Sequence, residues 1–298
     1  MKGPVAAIVV TYLPDDKFLS FMSRIAGQVD YVIVSDNGGA ASLLGALGEN
    51  LKTRLLSFGK NIGVSAAQNQ GIALARELGV EYVLLFDQDS LPAPDMVDNL
   101  FKSYSTALAA GYRIAAVGPR FFDERFGEPH AFIRIRGLFL ERIHEPDFGD
   151  LACVDYLISS GSLIPLASLD EIGGMCDELF IDYIDVEWGL RAKAKGFQSF
   201  GSFGARMKHN LGDKPLIFMG RAYPAHTPFR HYHIVRNAIW LYRQKGLPWR
   251  WKLLDARRLC MRVVFYALFL APRVKQSIAM LKGVLHGLGS REKRKYEL

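Results

Sequence analysis

The chain has 298 residues, of which 50% are hydrophobic and 22% charged, so half of its side chains can enter a core. This composition excludes a disordered or low-complexity protein. The formal net charge of +7 is uneven, because residues 249–298 hold 12 basic and 3 acidic residues (+9), which leaves 25 and 27 (−2) for residues 1–248. We therefore expect no nucleic-acid footprint on the main body, whereas the basic tail stays open to a local anionic partner.

The cysteines and apolar runs give no sign of secretion or of a membrane span. Cys153, Cys176 and Cys260 are odd in number and contain no C-x-x-C pair, which favours a reducing compartment and predicts no disulfide framework and no zinc site. Residues 5–10 are apolar but are followed by no cleavage site, so they predict a buried strand rather than a signal peptide. The apolar stretch 263–271 is well short of the roughly 20 residues that span a bilayer.

Through the first third of the chain, short β-branched runs alternate with helix-period segments, which predicts βαβ units and a mainly parallel sheet. In chain order, the predicted elements are a strand over 5–12, a helix over 17–26, strands over 31–38 and 54–57, a helix over 61–79 and a strand over 82–90. A helix follows Pro94, a strand covers 115–118, and residues 120–150 are predicted to be irregular. A further helix is predicted over 185–195, capped by Gly196.

Two aspartates, Asp87 and Asp89, follow the fourth predicted strand in the segment FDQDS. Ligands of open α/β sheets collect beyond the carboxyl ends of the strands, where Asp36 is also expected. Two carboxylates in that place suit Mg²⁺ or Mn²⁺, which complete their shell with water and substrate phosphates. The plain alternative is a pair of turn formers or caps for the next helix.

The segment NIGVSAAQNQG, residues 61–71, places Gly63 before a predicted helix, whose N-terminus can offer N–H groups to phosphate or sugar oxygens. It has neither a G-x-G-x-x-G nor a Walker pattern, which argues against dinucleotide binding and P-loop phosphoryl transfer. As a single feature it could be an ordinary helix start.

The segment FIDYIDVEWGLRA places Asp182, Asp185 and Glu187 at the start of the later helix. The helix dipole favours the ionised form of Asp185, and a carboxylate there can accept a proton from a hydroxyl, although first-turn acids are also ordinary caps. Glu187 and Arg191 are spaced to form an ion pair along this helix. The histidines at 209, 226, 231 and 233 indicate nothing by themselves.

The order and spacing of these motifs resemble those of family 2 glycosyltransferases of the GT-A fold. The segments are VVTYLP, VIVSDNGG, GKNIGVSAAQNQGI, FDQDS, SGSLIP, GGMCDELFIDYIDVEWGLRAKAKG, HNLGD and HIVRNAIWLYRQK. Over about residues 4–245, the sequence is most similar to bacterial rhamnosyltransferases that use dTDP-L-rhamnose. The resemblance implies an α/β fold with a GT-A type, Rossmann-like mixed sheet flanked by helices. It also implies an inverting, metal-dependent transfer to a lipid-linked precursor of a cell-surface polysaccharide such as an O-antigen, with Mg²⁺ or Mn²⁺ as cofactor.

The resemblance also implies roles for individual residues. The nucleotide sugar is expected at Thr11, Tyr12, Asp36, Asn37, Asn61, Gly63, Asn69, Asp87, Gln88 and Arg236, and the metal at Asp87, Asp89 and His209. Gln88 is compatible with the DxD-type element because only the outer carboxylates are required. Many relatives carry Glu-Asp where this chain has Ile184-Asp185. Asp185 is therefore the expected general base, with Asp182 as its substitute.

Three alternatives stay open. The donor could be a UDP- or GDP-linked sugar. A nucleotidyltransferase would also combine an α/β sheet with metal-holding aspartates, but it usually brings a Gly-rich, basic loop where this chain has TYLPDDKF. A non-catalytic module that binds membranes or nucleic acid is opposed by the charge of −2 over residues 1–248.

The tail, residues 249–298, combines Trp249, Trp251 and an apolar run over 253–271 with flanking arginines and lysines. This pattern suits one or two helices that lie on an anionic membrane surface. We therefore expect a GT-A domain over 1–248 and a basic amphipathic helical tail over 249–298. The protein would be cytoplasmic and peripheral to the inner face of the cell membrane. The alternative is that the tail packs on the main domain or on a second subunit, which would make a homodimer.

Overall fold

The computed structural model describes residues 3–40, 52–123, 129–209 and 216–290. Its helices are α1 (Lys17–Ala26), α2 (Val64–Glu77), α3 (Met96–Ala109), α4 (Leu166–Ile172), α5 (Ile184–Ala194), α6 (Pro228–Arg243), α7 (Trp249–Phe269) and α8 (Arg273–Gly289), with a 3-10 turn over Asp177–Leu179. Its strands are β1 (Val5–Thr11), β2 (Tyr31–Asp36), β3 (Thr53–Ser57), β4 (Tyr82–Asp87), β5 (Ser90–Pro92), β6 (Ile114–Phe122), β7 (Phe132–Arg136), β8 (Phe139–Ile143), β9 (Leu151–Val154), β10 (Leu163–Pro165), β11 (Gln198–His209), β12 (Leu216–Phe218) and β13 (Arg221–Tyr223).

The main sheet has the order β3-β2-β1-β4-β10-β6-β11-β5, and β9 pairs with β11. Strands β1 to β4 pair in parallel, whereas β10 runs antiparallel to its neighbours β4 and β6. Every residue of β1 is buried, as expected for a strand covered on both faces. The predicted mixed α/β sheet flanked by helices is confirmed.

The two faces of the sheet carry separate core clusters because successive side chains of a strand point to opposite faces. Ile8 and Leu85 belong to one cluster, which packs against α2, α4 and α5. Val9 and Phe86 belong to the other, which packs against α1 and α3. The buried residues of α1 are Phe18, Phe21, Met22 and Ile25, the spacing of an amphipathic helix.

Several elements differ from the sequence prediction. The helix over 17–26 is confirmed, and α5 begins at Ile184, one residue before the predicted start. Residues 120–150 were predicted to be irregular, but they contain the antiparallel hairpin of β7 and β8. The twelve-residue strand β11 was missed, because a register irregularity between Ser202 and Arg206 breaks its alternating pattern.

The described part of the tail, residues 249–290, forms two helices that pack on the rest of the protein. Trp251 of α7 lies in the first core cluster. Helix α8 approaches α6 through two glycines: a β-carbon at Gly283 would meet the carbonyl oxygen of Tyr232 at 2.7 Å, and one at Gly287 would meet that of Arg236 at 2.8 Å. Within the described ranges, no helix is long and apolar enough to cross a membrane.

Candidate active site

The first part of the site lies where β1 and β2 end side by side. Thr11 pairs with Asp36 in the parallel register, and its hydroxyl donates to the Asp36 carboxylate at 3.0 Å. The backbone N–H of Gly38 donates to the same oxygen at 2.8 Å. These bonds fix the carboxylate at the carboxyl edge of the sheet, where ligands of this architecture bind.

Gln88 joins this edge to the acidic turn after β4. Its side-chain oxygen accepts the N–H of Tyr12 at 2.7 Å, and its amide nitrogen donates to the carbonyl oxygen of Tyr12 at 3.2 Å. The two bonds hold Gln88 against the end of β1, so Asp87 and Asp89 are presented on either side of a fixed residue. Gln88 therefore acts here as a spacer that positions the two carboxylates.

The loop before α2 is attached to the end of β2. The side-chain oxygen of Asn37 accepts the N–H of Ile62 at 2.9 Å, and its amide nitrogen donates to the carbonyl of Gly63 at 3.3 Å. The side chain of Asn61 accepts the N–H of Gly63 at 2.9 Å. The structure thus brings together the predicted donor-site residues from β1, β2, the α2 loop and the acidic turn.

The acidic turn offers oxygen donors for a divalent cation. Asp87 is half-buried at the end of β4, and Asp89 is exposed in the turn that follows. The described residues contain no group of three His, Cys, Asp or Glu side chains that could hold a metal. Mg²⁺ and Mn²⁺ need only one or two protein carboxylates when phosphates complete the shell, so this pair fits them. The backbone of His209 pairs with Ser90, next to Asp89, but its side chain lies outside the described part.

Asp185 lies in the first turn of α5, and its carboxylate accepts the N–H of Val186 at 2.8 Å. It lines a cavity of about 20 Å³ whose other walls include Leu85, Leu157 and Trp188. Burial in these surroundings raises the pKa of Asp185 to about 6; the Val186 hydrogen bond opposes this shift, and the negative charges of Asp182 and Asp87 add to it. At neutral pH Asp185 is therefore mainly ionised, with a carboxylate more basic than an ordinary aspartate.

The loop that leads into α5 has an unusual backbone. Phe180, Asp182 and Tyr183 all have positive φ angles, of 62°, 63° and 66°. Such conformations cost roughly 1–3 kcal/mol per non-glycine residue and persist only where the surroundings enforce them. They are concentrated directly before the residue predicted to be the base.

Helix α6 supplies much of that enforcement, and sequence reasoning assigned it no such role. The amide nitrogen of Asn237 lies 2.7–3.0 Å from the carbonyl oxygens of Leu179, Ile181 and Asp182. Arg230 contacts both carboxylate oxygens of Asp182 at 2.9–3.1 Å. Because Asp182 is already paired with a cation, the geometry favours Asp185 over Asp182 as the base.

Two predicted donor-site residues, Asn69 and Arg236, are bonded to the 175–178 segment. The Asn69 side chain bonds both the carbonyl and the N–H of Met175, at 2.9 and 2.8 Å, and contacts the Asp177 carboxylate at 2.6 Å. Arg236 donates to the carbonyl of Glu178. Both side chains therefore hold the segment that directly precedes the loop over residues 180–183.

The histidines of α6 pack beside the same loop. His233 stacks on Phe180 with ring centroids 5.0 Å apart, and burial lowers its pKa to about 4. The ring of His231 bonds to Gln276 of α8 at 2.8 Å. Burial also lowers the pKa of His226 to about 4, so neither His226 nor His233 is charged at neutral pH.

No protein-family model matches the chain. The chain is 31% identical over 287 residues to the dTDP-rhamnosyl transferase RfbF of Shigella flexneri, an alignment that covers 96% of this chain and 94% of the relative.

Solved structures share the fold at low identity. The mannosyltransferase PcManGT of Pyrobaculum calidifontis, in complex with GDP-Man and Mn²⁺, has a TM-score of 0.57 at 15% identity over 98% of this chain and 89% of its own. TarS of S. aureus, residues 1–349 with UDP-GlcNAc, gives 0.55 at 14% identity over 95% and 81%. GalNAc-T7, with UDP, GalNAc and Mn²⁺, gives 0.60 at 11% identity; the match covers 80% of this chain but only 47% of that protein.

The sequence relationship extends over almost the whole length of both proteins, and the fold is shared with solved glycosyltransferase structures. The chain therefore belongs to the family 2 glycosyltransferases of the GT-A fold, within which it is similar to the bacterial dTDP-rhamnosyl transferases.

Proposed function

We propose that the protein is an inverting, metal-dependent rhamnosyltransferase that moves L-rhamnose from dTDP-L-rhamnose to a lipid-linked precursor of a cell-surface polysaccharide such as an O-antigen. The observation that supports the reaction type is the position of Asp185 in the first turn of α5, where burial raises its pKa to about 6 and the charge of Asp87 in the acidic turn adds to the shift. A base and a diphosphate-binding edge on one surface are what a direct displacement requires.

In this mechanism, Asp185 accepts the proton of the acceptor hydroxyl while the hydroxyl oxygen bonds to the anomeric carbon of the donor. The bond from that carbon to the nucleoside diphosphate breaks at the same time, and the electron pair leaves with the diphosphate. One displacement inverts the anomeric centre, and no covalent glycosyl-enzyme forms. Asn237 and Arg230 act as positioning residues, because they hold the loop that sets the place of Asp185.

Negative charge develops on the leaving diphosphate near Asp87 and Asp89. Without a cation, these two carboxylates would repel the diphosphate. Mg²⁺ or Mn²⁺ bound by these two carboxylates, with His209 as a further ligand, would neutralise that charge. Thr11, Asp36 and Asn37 are proposed to bind the nucleobase or the ribose of the donor. All three residues are buried at the carboxyl edge of the sheet.

The choice of dTDP-L-rhamnose as donor is supported by the relationship to RfbF. Incubation with dTDP-, UDP- and GDP-linked sugars, Mn²⁺ and an extracted lipid-linked acceptor tests it, with product analysis by NMR. We expect turnover of the dTDP-linked donor and an inverted anomeric configuration. Equal turnover of all three donors would remove the donor assignment, and retention of configuration would contradict the displacement mechanism.

The tail supports a peripheral place at the inner face of the cell membrane. Five residues of α8 form an exposed apolar stripe at spacings of four and three: Val274, Ile278, Leu281, Leu285 and Leu288. The charge of +9 over 249–298 complements anionic lipids. Cosedimentation with anionic vesicles tests this placement, and loss of binding in a Leu281→Glu, Leu285→Glu double variant is expected. Unchanged binding would argue against this stripe, and dimerisation of the protein in solution would favour a second subunit as its partner.

A further inference from the structure

A groove of about 520 Å³ lies beside the acidic turn, between α1 and the strands β5, β6 and β11. Its apolar lining residues include Leu91, Phe122 and Phe203. Four cations also line it: Arg24, Arg120, Arg206 and Lys208. No acidic residue is among the lining residues in the part of the chain that the structure describes.

The arrangement of these cations is expected to destabilise the fold by electrostatic repulsion. Arg206 of β11 lies directly opposite Arg120 of β6 in the parallel register. Lys208, two residues further along β11, points to the same face as Arg206. Like charges placed opposite each other on one face of a sheet repel and destabilise it. An anionic ligand bound between these cations would relieve their repulsion.

Arg120 combines a contact with an aromatic ring and a buried donor that no described residue satisfies. Its guanidinium lies over the ring of Phe203, with 5.1 Å between its central carbon and the ring centroid. Its Nε is buried and has no hydrogen-bond partner among the described residues. A buried donor without an acceptor is unfavourable, so a ligand oxygen that reached it would be bound firmly.

The groove begins where the acidic turn ends. His209 pairs with Ser90, and Lys208 pairs with Leu91, which is two residues beyond Asp89. At about 3.3 Å per residue, the groove starts roughly 7 Å from the proposed metal site. A ligand in the groove can therefore extend towards the donor sugar.

We infer that this groove binds the lipid diphosphate of the acceptor: the four cations hold the diphosphate, and the apolar walls hold the first isoprenoid units. This inference rests on the proposed transfer to a lipid-linked acceptor. The cations favour a ligand with an anionic head group. The apolar walls between them favour a hydrocarbon chain attached to that head group. A lipid diphosphate held there would place the acceptor beside the acidic turn of the proposed donor site.

Binding of farnesyl diphosphate to the full-length protein tests the inference by calorimetry, with saturating dTDP and Mg²⁺ present so that the donor site is occupied. We expect farnesyl diphosphate to bind at least about tenfold more tightly than inorganic pyrophosphate. Arg206→Gln and Arg120→Gln should each weaken it about tenfold or more, because a charged hydrogen bond is lost. Because Arg206→Gln also relieves a repulsion, the melting temperature of this variant should stay equal or rise.

Arg142→Gln is the matched control: Arg142 is exposed, lies on β8 outside the groove, and its replacement removes the same charge. It should leave farnesyl diphosphate binding unchanged. Equal affinity for pyrophosphate and farnesyl diphosphate, or unchanged binding in Arg206→Gln, would overturn the groove assignment. The thermal shift of the wild-type protein with dTDP is a separate readout: its absence would contradict the proposed function, whereas its presence with an unaffected Arg206→Gln variant would refute the groove alone.

Discussion

Gly63 and Phe180 are in such close contact that a β-carbon at residue 63 would meet the Phe180 ring at 2.6 Å. The next residue, Val64, donates its N–H to the carbonyl oxygen of Phe180 at 2.6 Å. The loop before α2, proposed to bind the donor, and the loop before α5, which leads to the proposed base, are therefore packed against each other. Binding of the donor sugar and placement of Asp185 are expected to respond together to changes at this contact.

The variant Gly63→Ala should lower both donor affinity and turnover. Gly63 has a φ of +91°, which a non-glycine residue adopts only with strain, and the added methyl group would collide with Phe180. We expect a loss of roughly 1–3 kcal/mol in stability and at least about tenfold in kcat/KM. Thermal unfolding and donor turnover measure the two effects.

Gly59→Ala serves as the control, because Gly59 also has a positive φ, of +66°, but a β-carbon there would meet nothing within 4 Å. The Gly59→Ala variant should have backbone strain but no steric clash, and its kcat/KM should stay near that of the wild type. Equal losses of activity in the two variants would show that the contact with Phe180 is unimportant.

Replacement of Glu187 by Ala should destabilise the protein strongly. The carboxylate is fully buried and bonds to Arg191 at 2.8 and 2.9 Å, while Arg191 also donates to the carbonyls of Ile172 and Gly174. Removal of one partner leaves a buried charge without compensation, which costs about 3–5 kcal/mol. Urea unfolding measures this loss.

Arg76→Ala is the comparison for that experiment. Arg76 pairs with Asp170 at 2.6 Å, but both side chains are largely exposed. Surface pairs contribute about 0–1 kcal/mol, so the change should be small. A Glu187→Ala variant as stable as Arg76→Ala would disprove the structural role of the buried pair.

Asp89→Ala should remove the metal-dependent part of nucleotide binding. With wild-type protein, dTDP together with Mn²⁺ should raise the melting temperature more than either alone, and EDTA should reverse the difference. In the variant, Mn²⁺ should add nothing to the effect of dTDP. Glu77→Ala, which removes an exposed carboxylate from α2, should behave as wild type. A full Mn²⁺ effect in Asp89→Ala would place the metal elsewhere.

The pH dependence of kcat/KM should show the pKa of Asp185. Burial raises the pKa of Asp185 to about 6, and only the ionised carboxylate can accept a proton. Activity should therefore be constant above about pH 7, reach half its maximum near pH 6, and fall about tenfold per unit below that. A carboxyl with the ordinary pKa of about 4 would keep full activity at pH 5. A flat profile between pH 5 and 8, with dTDP affinity also constant, would exclude Asp185 in its raised-pKa form.

The parts of the fold that the sequence predicts are those with local signals. The apolar run of β1 predicts a buried strand. The spacing of the buried residues Phe18, Phe21 and Ile25 predicts the helix α1. The spacing of Glu187 and Arg191 also predicts their ion pair, which the structure confirms. These features depend on neighbours within a few positions along the chain.

The missed features depend on contacts between distant parts of the chain. Arg230 pairs with Asp182 across 48 positions, and Asn237 reaches carbonyls 55 to 58 positions away. Nothing in the periodicity of α6 marks these side chains, although Thr227 followed by Pro228 could have predicted where the helix starts. The conformation of the loop over residues 180–183 likewise could not be predicted from the sequence. Its positive φ angles fall on residues, such as Phe180, that rarely adopt them.

The role of Asp185 can be separated from its effect on folding. An aspartate whose pKa is raised on folding destabilises the native state above that pKa, and this cost disappears as the pH falls below the unfolded value of about 4. Asp185→Asn should therefore melt at a higher temperature than wild type at pH 8, with the difference shrinking towards pH 4. A variant that gains stability and loses activity cannot have lost activity through unfolding.

The central claim is tested most directly by the rate of rhamnosyl transfer from dTDP-L-rhamnose by Asp185→Asn at pH 7.5, with lipid-linked acceptor and Mn²⁺. We predict a rate at least about 10²-fold below that of the wild-type protein, with unchanged affinity for dTDP, because the general base is removed while the donor site is intact. A rate equal to that of the wild type would contradict the assignment of Asp185 and the mechanism built on it.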